Sequence, residues 1–275
     1  MKVAAIKSKE QVTRSIWFLK ENRSCNLYLY EGLSRLNFRY HNLCFSEADE
    51  YMGVLHTKSG TNVHILLSES AAEDAVNEIL KIALRRFGGI RSFFGDHGSI
   101  KRLTLEKRAG QGRFREYDFM ETDQKRFLPG LTPGGVVPKK KDAPLLLPLQ
   151  RQYEIEEMRY DPTLLDSERM TVALARRIDR GEITALYEKG RPVAIAGVNA
   201  RYGEVCQIGS VYVVPSYRRK GYGSRVVSSH VSRLLRRYGK IVLFVDVKNR
   251  TACRLYEMMG FEKSGMLAQV EVIEN

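Results

Sequence analysis

The chain has 275 residues, 43% of them hydrophobic, and a formal net charge of +13. This length and apolar content predict two packed domains and exclude a disordered chain. The four cysteines and five histidines show no metal-ligand spacing, so we expect no metal site. The N-terminus lacks an apolar run long enough for a signal peptide or a membrane span, and a cytoplasmic location is expected.

The first half of the chain predicts a small α/β domain. Two helices are predicted, at Gln11–Arg23 and at Ala71–Phe87, where the second ends at Gly88. Strands are predicted at Asn26–Tyr30, Tyr51–His56, Asn62–Leu67 and Ile90–Gly95, with a turn at Ser59–Thr61 between the middle two. The last two strands and the helix between them form a predicted crossover unit.

A cluster of prolines marks the predicted domain boundary. No proline precedes Pro129, whereas five fall within the next twenty residues, at Pro129, Pro133, Pro138, Pro144 and Pro148. Proline and glycine interrupt regular structure. We therefore predict domains at residues 1–130 and 136–275. The basic run Lys139–Lys141 is interpreted as a solvated part of this linker.

The second half predicts an alternation of helices and strands. Asp142 is the predicted N-cap of a first helix that carries Pro144 in its first turn, and Ser167–Arg180 is a second helix. The remaining elements are the hairpin Ile183–Tyr187 and Pro192–Val198, the strand Val205–Val214, the helix Ser224–Tyr238, the strand Ile241–Val247 and a helix from Asn249 to Gly260.

A basic loop with two glycines joins the strand ending at Val214 to the helix after it. A chain that leaves a strand and enters a helix within a few residues turns its N–H groups into one concavity, at the positive end of the helix dipole. Gly221 and Gly223 allow a phosphate to approach the backbone. The loop is not the dinucleotide motif G-x-G-x-x-G, because Val226 occupies the third glycine position, and no P-loop motif occurs.

Two motifs in this half resemble the acyl-CoA-binding core of the GNAT acetyltransferase superfamily. The first is Arg218-x-x-Gly221-x-Gly223, and the second runs from Asn249 through Leu255-Tyr256-Glu257 to Gly260-Phe261. The resemblance covers roughly residues 136–270. It implies two α/β domains with mixed, mostly antiparallel sheets flanked by helices. The first half, which has Glu69 and no basic glycine run before its helix, resembles the degenerate first domain of tandem GNAT proteins.

The resemblance also implies site residues. Acetyl-CoA, or another short acyl-CoA, would be the co-substrate, and the backbone of Val211, Tyr212 and Val213 would pair with its pantetheine arm. An asparagine such as Asn249 lies near the cofactor, and a tyrosine such as Tyr256 protonates the leaving thiolate. The pyrophosphate would bind the loop residues Arg218, Arg219, Lys220, Gly221, Tyr222, Gly223 and Ser224.

The general base is where the sequence departs from the family pattern. Many members carry a glutamate at the position of Gln207, and an amide cannot accept a proton at neutral pH. Glu204, Glu156 or Glu157 acting through a water are open alternatives. An amine that arrives already neutral would need no strong base.

The predicted function is transfer of an acetyl or other short acyl group from acyl-CoA to a primary amine of a small molecule or peptide. The alternatives are an acyl-CoA-sensing regulator without turnover and a basic polyanion-binding module. The positive charge is spread along the chain and forms no basic tail, which disfavours nucleic acid as a partner. No membrane association is expected, and a homodimer remains open.

Overall fold

The computed structural model describes residues 1–22, 25–34, 41–58, 60–103, 114–130 and 134–272. Contacts divide the chain into two compact units, neither of which is one continuous segment. The first comprises Met1–Phe119, Phe244–Asn249 and Lys263–Asn275, and the second comprises Met120–Leu243 and Arg250–Glu262. The domain boundary predicted at residues 130–136 stays a prediction, because units defined by contacts need not coincide with segments inherited as domains. Arg23, Ser59 and Pro133, named above, lie outside the described residues.

The first unit contains four helices and a mixed sheet among its described residues. The helices are α1 (Lys9–Glu21), α2 (Leu27–Ser34), α3 (Glu73–Phe87) and α4 (His97–Arg102). The strands are β1 (Lys2–Ala5), β2 (His41–Glu47), β3 (Glu50–Thr57), β4 (Asn62–Leu67) and β5 (Ser92–Asp96). Strand β6 (Phe114–Asp123) begins in this unit and ends in the second.

The sheet of the first unit is completed by the last strand of the chain. Strands β1 to β5 lie side by side in sequence order, and β4 and β5 are parallel and joined through α3. Strand β11 (Glu262–Glu271) pairs antiparallel with β5, with Leu267 opposite Asp96. Ala268 and Val270 of β11 are fully buried in the same core as β2–β5 and α3. The C-terminal segment is therefore part of the core of the first unit.

The second unit carries the elements that the sequence motifs place around the loop. Its helices are α5 (Ala143–Glu156), α6 (Ser167–Asp179), α7 (Tyr222–Leu234) and α8 (Arg250–Met258). Its strands are β7 (Ile183–Glu188), β8 (Arg191–Tyr202), β9 (Val205–Val213) and the first residues of β10 (Lys240–Asp246). β7, β8 and β9 are antiparallel neighbours, whereas β9 and β10 are parallel.

The core of the second unit forms between α5, α6 and the strands β7–β9. Leu146 and Leu149 of α5 and Leu174 of α6 are buried against Ile195 of β8 and Tyr212 of β9. Burial of such side chains stabilises the unit by about 1.5–3 kcal/mol each. Tyr212 thus belongs to the core and also lies at the end of β9, next to the glycine loop.

One local prediction is wrong, and one holds in position but not in its side-chain bond. The predicted strand Asn26–Tyr30 is the first part of helix α2, in which Leu29 and Leu33, one helical turn apart, are both fully buried. Packing of this helical face outweighs the strand preference of the Leu-Tyr alternation. Asp142 is the N-cap residue of α5 and Pro144 lies in its first turn, as predicted, but the Asp142 side chain makes no capping bond to α5. Its Oδ2 instead accepts the Lys139 N–H at 2.8 Å, in the short 3-10 turn before α5.

Among the described helices, none is both long enough and apolar enough to cross a lipid bilayer. The described residues also hold no group of three or more His, Cys, Asp or Glu side chains that could bind a metal ion.

Candidate active site

The loop between β9 and α7 has the backbone geometry of an anion-binding concavity. Arg219 and Gly221 both lie in the left-handed region, with φ of 57° and 81°. The first helical bond of α7 runs from the Arg225 N–H to the Gly221 carbonyl, and no side chain caps the helix. The N–H groups of the first turn therefore have no acceptor within the helix. An anion bound there would meet these donors and the positive end of the helix dipole.

The two loop glycines have different surroundings. A Cβ at Gly221 would meet no atom within 4 Å, so the space in front of the loop is open. A Cβ at Gly223 would lie 3.7 Å from Leu255 Cδ2 and 3.9 Å from Val213 Cγ2. The loop thus packs between the end of β9 and helix α8, with Ser224 in the first turn of α7.

The edge of β9 that faces away from β8 is available for an extended ligand. Parallel pairing with β10 covers Val205–Gln207 and ends where Gln207 lies opposite Val242. β9 nevertheless continues to Val213, while its other edge stays paired with β8 up to Val213 and Ala194. Backbone groups of Val211–Val213 on the free edge can therefore bond to an elongated molecule in the manner of an added strand.

Arg218 is tied to the protein rather than extended toward the loop opening. Its Nη2 donates to Glu156 Oε2 at 2.6 Å, its Nε donates to the Val213 carbonyl at 3.0 Å, and its guanidinium carbon lies 5.3 Å from the centre of the Tyr212 ring. The Tyr212 hydroxyl donates to Glu156 Oε1 at 2.8 Å. We call Arg218, Glu156 and Tyr212 the Arg218 cluster. It joins the end of α5 to the end of β9 and the start of the loop.

The charges of the Arg218 cluster stabilise one another. The Glu156 hydrogen bond raises the pKa of Arg218. Partial burial opposes ionisation of Glu156, but the hydrogen bonds from Arg218 and Tyr212 outweigh it and hold the pKa of the Glu156 carboxyl below its usual value. Burial, with the nearby Glu156 carboxylate, raises the pKa of Tyr212 to about 12. Glu156 is thus a poor proton acceptor.

The other polar side chains of the loop differ in whether they have hydrogen-bond partners within the protein. Lys220 Nζ donates to the Ser216 carbonyl at 2.8 Å, and the Tyr222 hydroxyl donates to Glu188 Oε1 at 2.7 Å. Arg219 is exposed and has no hydrogen-bond or ion-pair partner within the described part of the chain. Arg219 is therefore the loop cation most free to reach a bound phosphate.

Ser210, just before the free edge of β9, has a strained backbone, and its hydroxyl donates to Asn199 Oδ1 at 3.4 Å. It is buried, with 3% of its surface exposed, and its φ is 49°, which costs a residue other than glycine on the order of 1–3 kcal/mol. Arg177 Nη2 donates to Ser210 Oγ at 3.3 Å and to the Val198 carbonyl at 3.1 Å. Arg177 thus links α6 to the irregular stretch where β8 and β9 shift register.

Tyr256 lies on the buried face of α8. Only 7% of its surface is exposed, and its ring centre is 5.7 Å from that of Phe261. Burial raises the pKa of Tyr256 far above its ordinary value, and the charge of Glu157 adds to the shift. The phenol is therefore protonated at neutral pH, and the carboxylate just after α5 lies within electrostatic reach of it.

Asn249 lies in the turn between β10 and α8, where its backbone N–H donates to the Asp246 carbonyl at 2.8 Å. The next residue, Arg250, begins α8. Its proposed place beside the cofactor stays a prediction.

The carboxylates considered as bases differ sharply in position. Glu204 is exposed at the start of β9, the end opposite Val213. Gln207 is 1% exposed, and neither its Oε1 nor its Nε2 has a hydrogen-bond partner among the described residues.

Sequence reasoning missed Glu154, whose Oε1 accepts from Gln150 Nε2 at 2.7 Å and whose pKa is raised by burial. Its spacing of four residues from Gln150 and three from Glu157 was the available signal.

Fold and loop together define the second unit as an α/β domain with an anion-binding helix start beside an open strand edge. Residues 148–261 match the model of the Acetyltransferase (GNAT) family. This match identifies the segment as a GNAT-family domain. No curated protein matches the chain.

Solved structures resemble the whole chain. A GNAT-family acetyltransferase from Colwellia psychrerythraea has 13% identity and a TM-score of 0.64, with 99% of this chain and 100% of that one covered. A tandem GNAT protein from the clavulanic acid biosynthesis pathway has 12% identity and a TM-score of 0.61, with 100% and 99% covered. A GCN5-related N-acetyltransferase from Sphaerobacter thermophilus has 14% identity and a TM-score of 0.63, with 88% and 83% covered. At these identities the likeness concerns the fold, and it confirms the predicted fold class.

Proposed function

We propose that the protein is an N-acyltransferase that moves an acetyl or other short acyl group from acyl-CoA to a primary amine of a small molecule or peptide. The observation that carries the proposal is the uncapped start of α7, which follows left-handed Arg219 and Gly221 and lies beside the free edge of β9. The match of residues 148–261 to the GNAT family model supports it. The cytoplasm is the proposed location.

Acyl-CoA would be bound by residues in defined roles. Backbone N–H groups from Arg218 to Ser224 would hold the pyrophosphate, with Arg219 and Lys220 adding positive charge. The free edge of Val211–Val213 would hold the pantetheine arm, and Asn249 would lie near it. Acyl-CoA supplies an activated thioester. The Tyr256 phenol would give its proton to the departing sulfur.

In the proposed enzyme, the Arg218 cluster has a structural role. The backbone of Arg218 belongs to the loop, but its guanidinium is bound to Glu156 and Val213. The side chain thereby keeps the end of α5 against the end of β9. We infer that Arg218 positions the loop relative to α5, while Arg219 faces the phosphate.

We propose that the first unit does not bind acyl-CoA. Its parallel strands β4 and β5 and helix α3 repeat the order of β9, α7 and β10, yet α3 carries Glu73 and Asp74 in its first turn and Glu69 just before it. Carboxylates at a helix N-terminus repel a phosphate and take the place that the dipole offers to an anion.

A sensor that binds acyl-CoA without turnover is the second candidate, because Gln207 occupies the position where many family members have a glutamate. Thiol release decides between the two. Acetyl-CoA, propionyl-CoA and butyryl-CoA would each be incubated with a panel of amines and peptides, with Gly221→Glu as the binding-deficient control. Amine-dependent release by the wild type alone supports the transferase. Tight acyl-CoA binding with no release for any acceptor supports the sensor.

A further inference from the structure

We propose that Glu154, on α5, is the general base that takes the proton from the acceptor amine. This inference rests on the proposed acyl transfer and adds to it a residue that the sequence motifs do not contain.

The placement of Glu154 follows from its neighbours along one face of α5. Gln150, Glu154 and Glu157 are spaced by four and then three residues, so their side chains lie in a row. At one end of the row, Gln150 bonds to Arg177, which bonds to the strained Ser210 of β9. At the other end, the charge of Glu157 helps to raise the pKa of the Tyr256 phenol. Glu154 therefore lies in the row between Gln150, which is linked to β9 through Arg177, and Glu157, whose charge reaches the proposed acid.

The carboxylate of Glu154 is held in place by a chain of hydrogen bonds. Gln150 Nε2 donates to Glu154 Oε1 at 2.7 Å, and Arg177 Nη1 donates to Gln150 Oε1 at 3.3 Å. Gln150 is 5% exposed, so its amide has little freedom to leave this arrangement. One carboxylate oxygen is thus engaged by a fixed donor, which sets the direction of the other.

Burial shifts the pKa of Glu154 in the direction that makes its carboxylate a stronger proton acceptor. Burial raises the pKa of the Glu154 carboxyl, while the Gln150 hydrogen bond and the Arg177 charge oppose that change only in part. A base is most effective when its pKa approaches the working pH. Arg177 of α6 is the charged group that acts on the Glu154 carboxyl, and Glu157 is the next carboxylate along the same face of the chain.

The other candidates are less suited to the task. Glu156, two residues away, accepts hydrogen bonds from Arg218 and Tyr212 and has a lowered pKa. Glu204 lies at the opposite end of β9, and the amide of Gln207 cannot accept a proton. Glu157, on the same face as Glu154, is the competitor that an experiment must separate.

In the proposed step an amide bond forms and a thioester bond breaks. The amine nitrogen bonds to the acyl carbon while one of its protons passes to the Glu154 carboxylate. The carbon–sulfur bond breaks, and its electron pair remains on sulfur, which takes the proton of the Tyr256 hydroxyl. Solvent then carries the proton from Glu154 and returns one to Tyr256. The products are an amide and free CoA thiol.

The test compares Glu154→Gln with Glu154→Asp, Glu157→Gln and the exposed control Glu168→Gln. Calorimetry with acetyl-CoA checks that each variant folds and binds. Thiol release with the best amine of the panel is then measured from pH 5.5 to 9. We expect Glu154→Gln to bind acetyl-CoA as the wild type does, to lose about 10²–10³-fold in kcat and to lose the acidic limb of the pH profile. Glu154→Asp should recover part of kcat, and Glu168→Gln should behave as the wild type.

The outcomes separate the two proposals. Release by the wild type that Glu154→Gln retains within about threefold overturns the role of Glu154 and leaves acyl transfer standing. Loss of the acidic limb in Glu157→Gln but not in Glu154→Gln assigns the proton transfer to Glu157 and has the same effect. Absence of release by the wild type with every acceptor overturns acyl transfer and, with it, the role of Glu154.

Discussion

Substituting Gly221 tests the anion-binding geometry of the loop directly. Its φ of 81° is one that side chains adopt with a penalty of about 1–2 kcal/mol, and its Cβ would meet no atom within 4 Å. Gly221→Ala therefore isolates backbone strain without a clash. Gly221→Glu adds a carboxylate at the same position, in front of the uncapped N–H groups of α7.

The carboxylate of Gly221→Glu would repel the phosphate charges of a bound ligand. Two phosphate charges about 6 Å from the new carboxylate, at an effective dielectric constant of about 60, are repelled by about 2 kcal/mol. That corresponds to a loss of about 20-fold in affinity. Occupation of the helix N-terminus by the new carboxylate, which weakens the binding of a second anion there, adds to the loss.

Gly203 offers a matched control for both effects. It lies in the turn between β8 and β9, at the end of β9 opposite Val213, has a φ of 54° and also has open space around its Cβ position. Gly203→Glu introduces similar strain and the same charge away from the loop. Calorimetry with acetyl-CoA should show wild-type affinity for Gly203→Glu, a modest loss for Gly221→Ala and a loss of at least 20-fold for Gly221→Glu. Equal affinity of the two glutamate variants would refute the assignment of the loop.

Three further predictions concern the number of sites, the proposed acid and a buried histidine. Full-length protein should bind one acetyl-CoA per chain, and a second saturable site that survives Gly221→Glu would show that the first unit also binds it. Tyr256→Phe should retain acetyl-CoA affinity while kcat falls about 10²–10⁴-fold; turnover equal to that of the wild type would reduce Tyr256 to a packing role. Burial, with the charges of Arg233 and Arg177, lowers the pKa of His230 to about 3, so the native state stays neutral below pH 6.5 while the unfolded chain takes up a proton. The contribution of His230 to the free energy of unfolding is therefore complete above about pH 6.5 and falls as the pH drops toward 3. Between pH 6.5 and 5, His230→Gln should lose about 2 kcal/mol less unfolding free energy than the wild type, as measured by urea denaturation. An unchanged pH dependence would contradict the reasoning.

The sequence predicted the loop region well because local patterns determine it. β9 ends within one residue of its predicted end at Val214, and β10 and α8 occur in the expected order. Each local pattern there favours one structure: the β-branched run favours a strand, the glycine-containing stretch a turn, and the amphipathic stretch a helix. Helix α2 was missed because alternating Leu and Tyr residues suit either period, and only packing decides between them.

Features that depend on distant segments could not be predicted. Glu154 looks like any solvated helix-face carboxylate until α6 brings Arg177 against Gln150. Likewise, nothing in residues 262–271 indicates that β5, more than 160 positions earlier, is their partner. The Arg218 cluster was hidden for the same reason, since Glu156 and Arg218 are 62 residues apart.

The pairing of β11 with β5 has a consequence for synthesis of the protein. Residues 92–96 leave the ribosome long before residues 267–271, which complete their sheet. At about 5–20 residues per second, the edge of β5 waits on the order of 10–30 s without this neighbour, and an unpaired strand edge invites association with other chains. Translation that stops after α8 would leave the nascent N-terminal region with an incomplete sheet. Chaperone capture of such truncated chains should concentrate on β5.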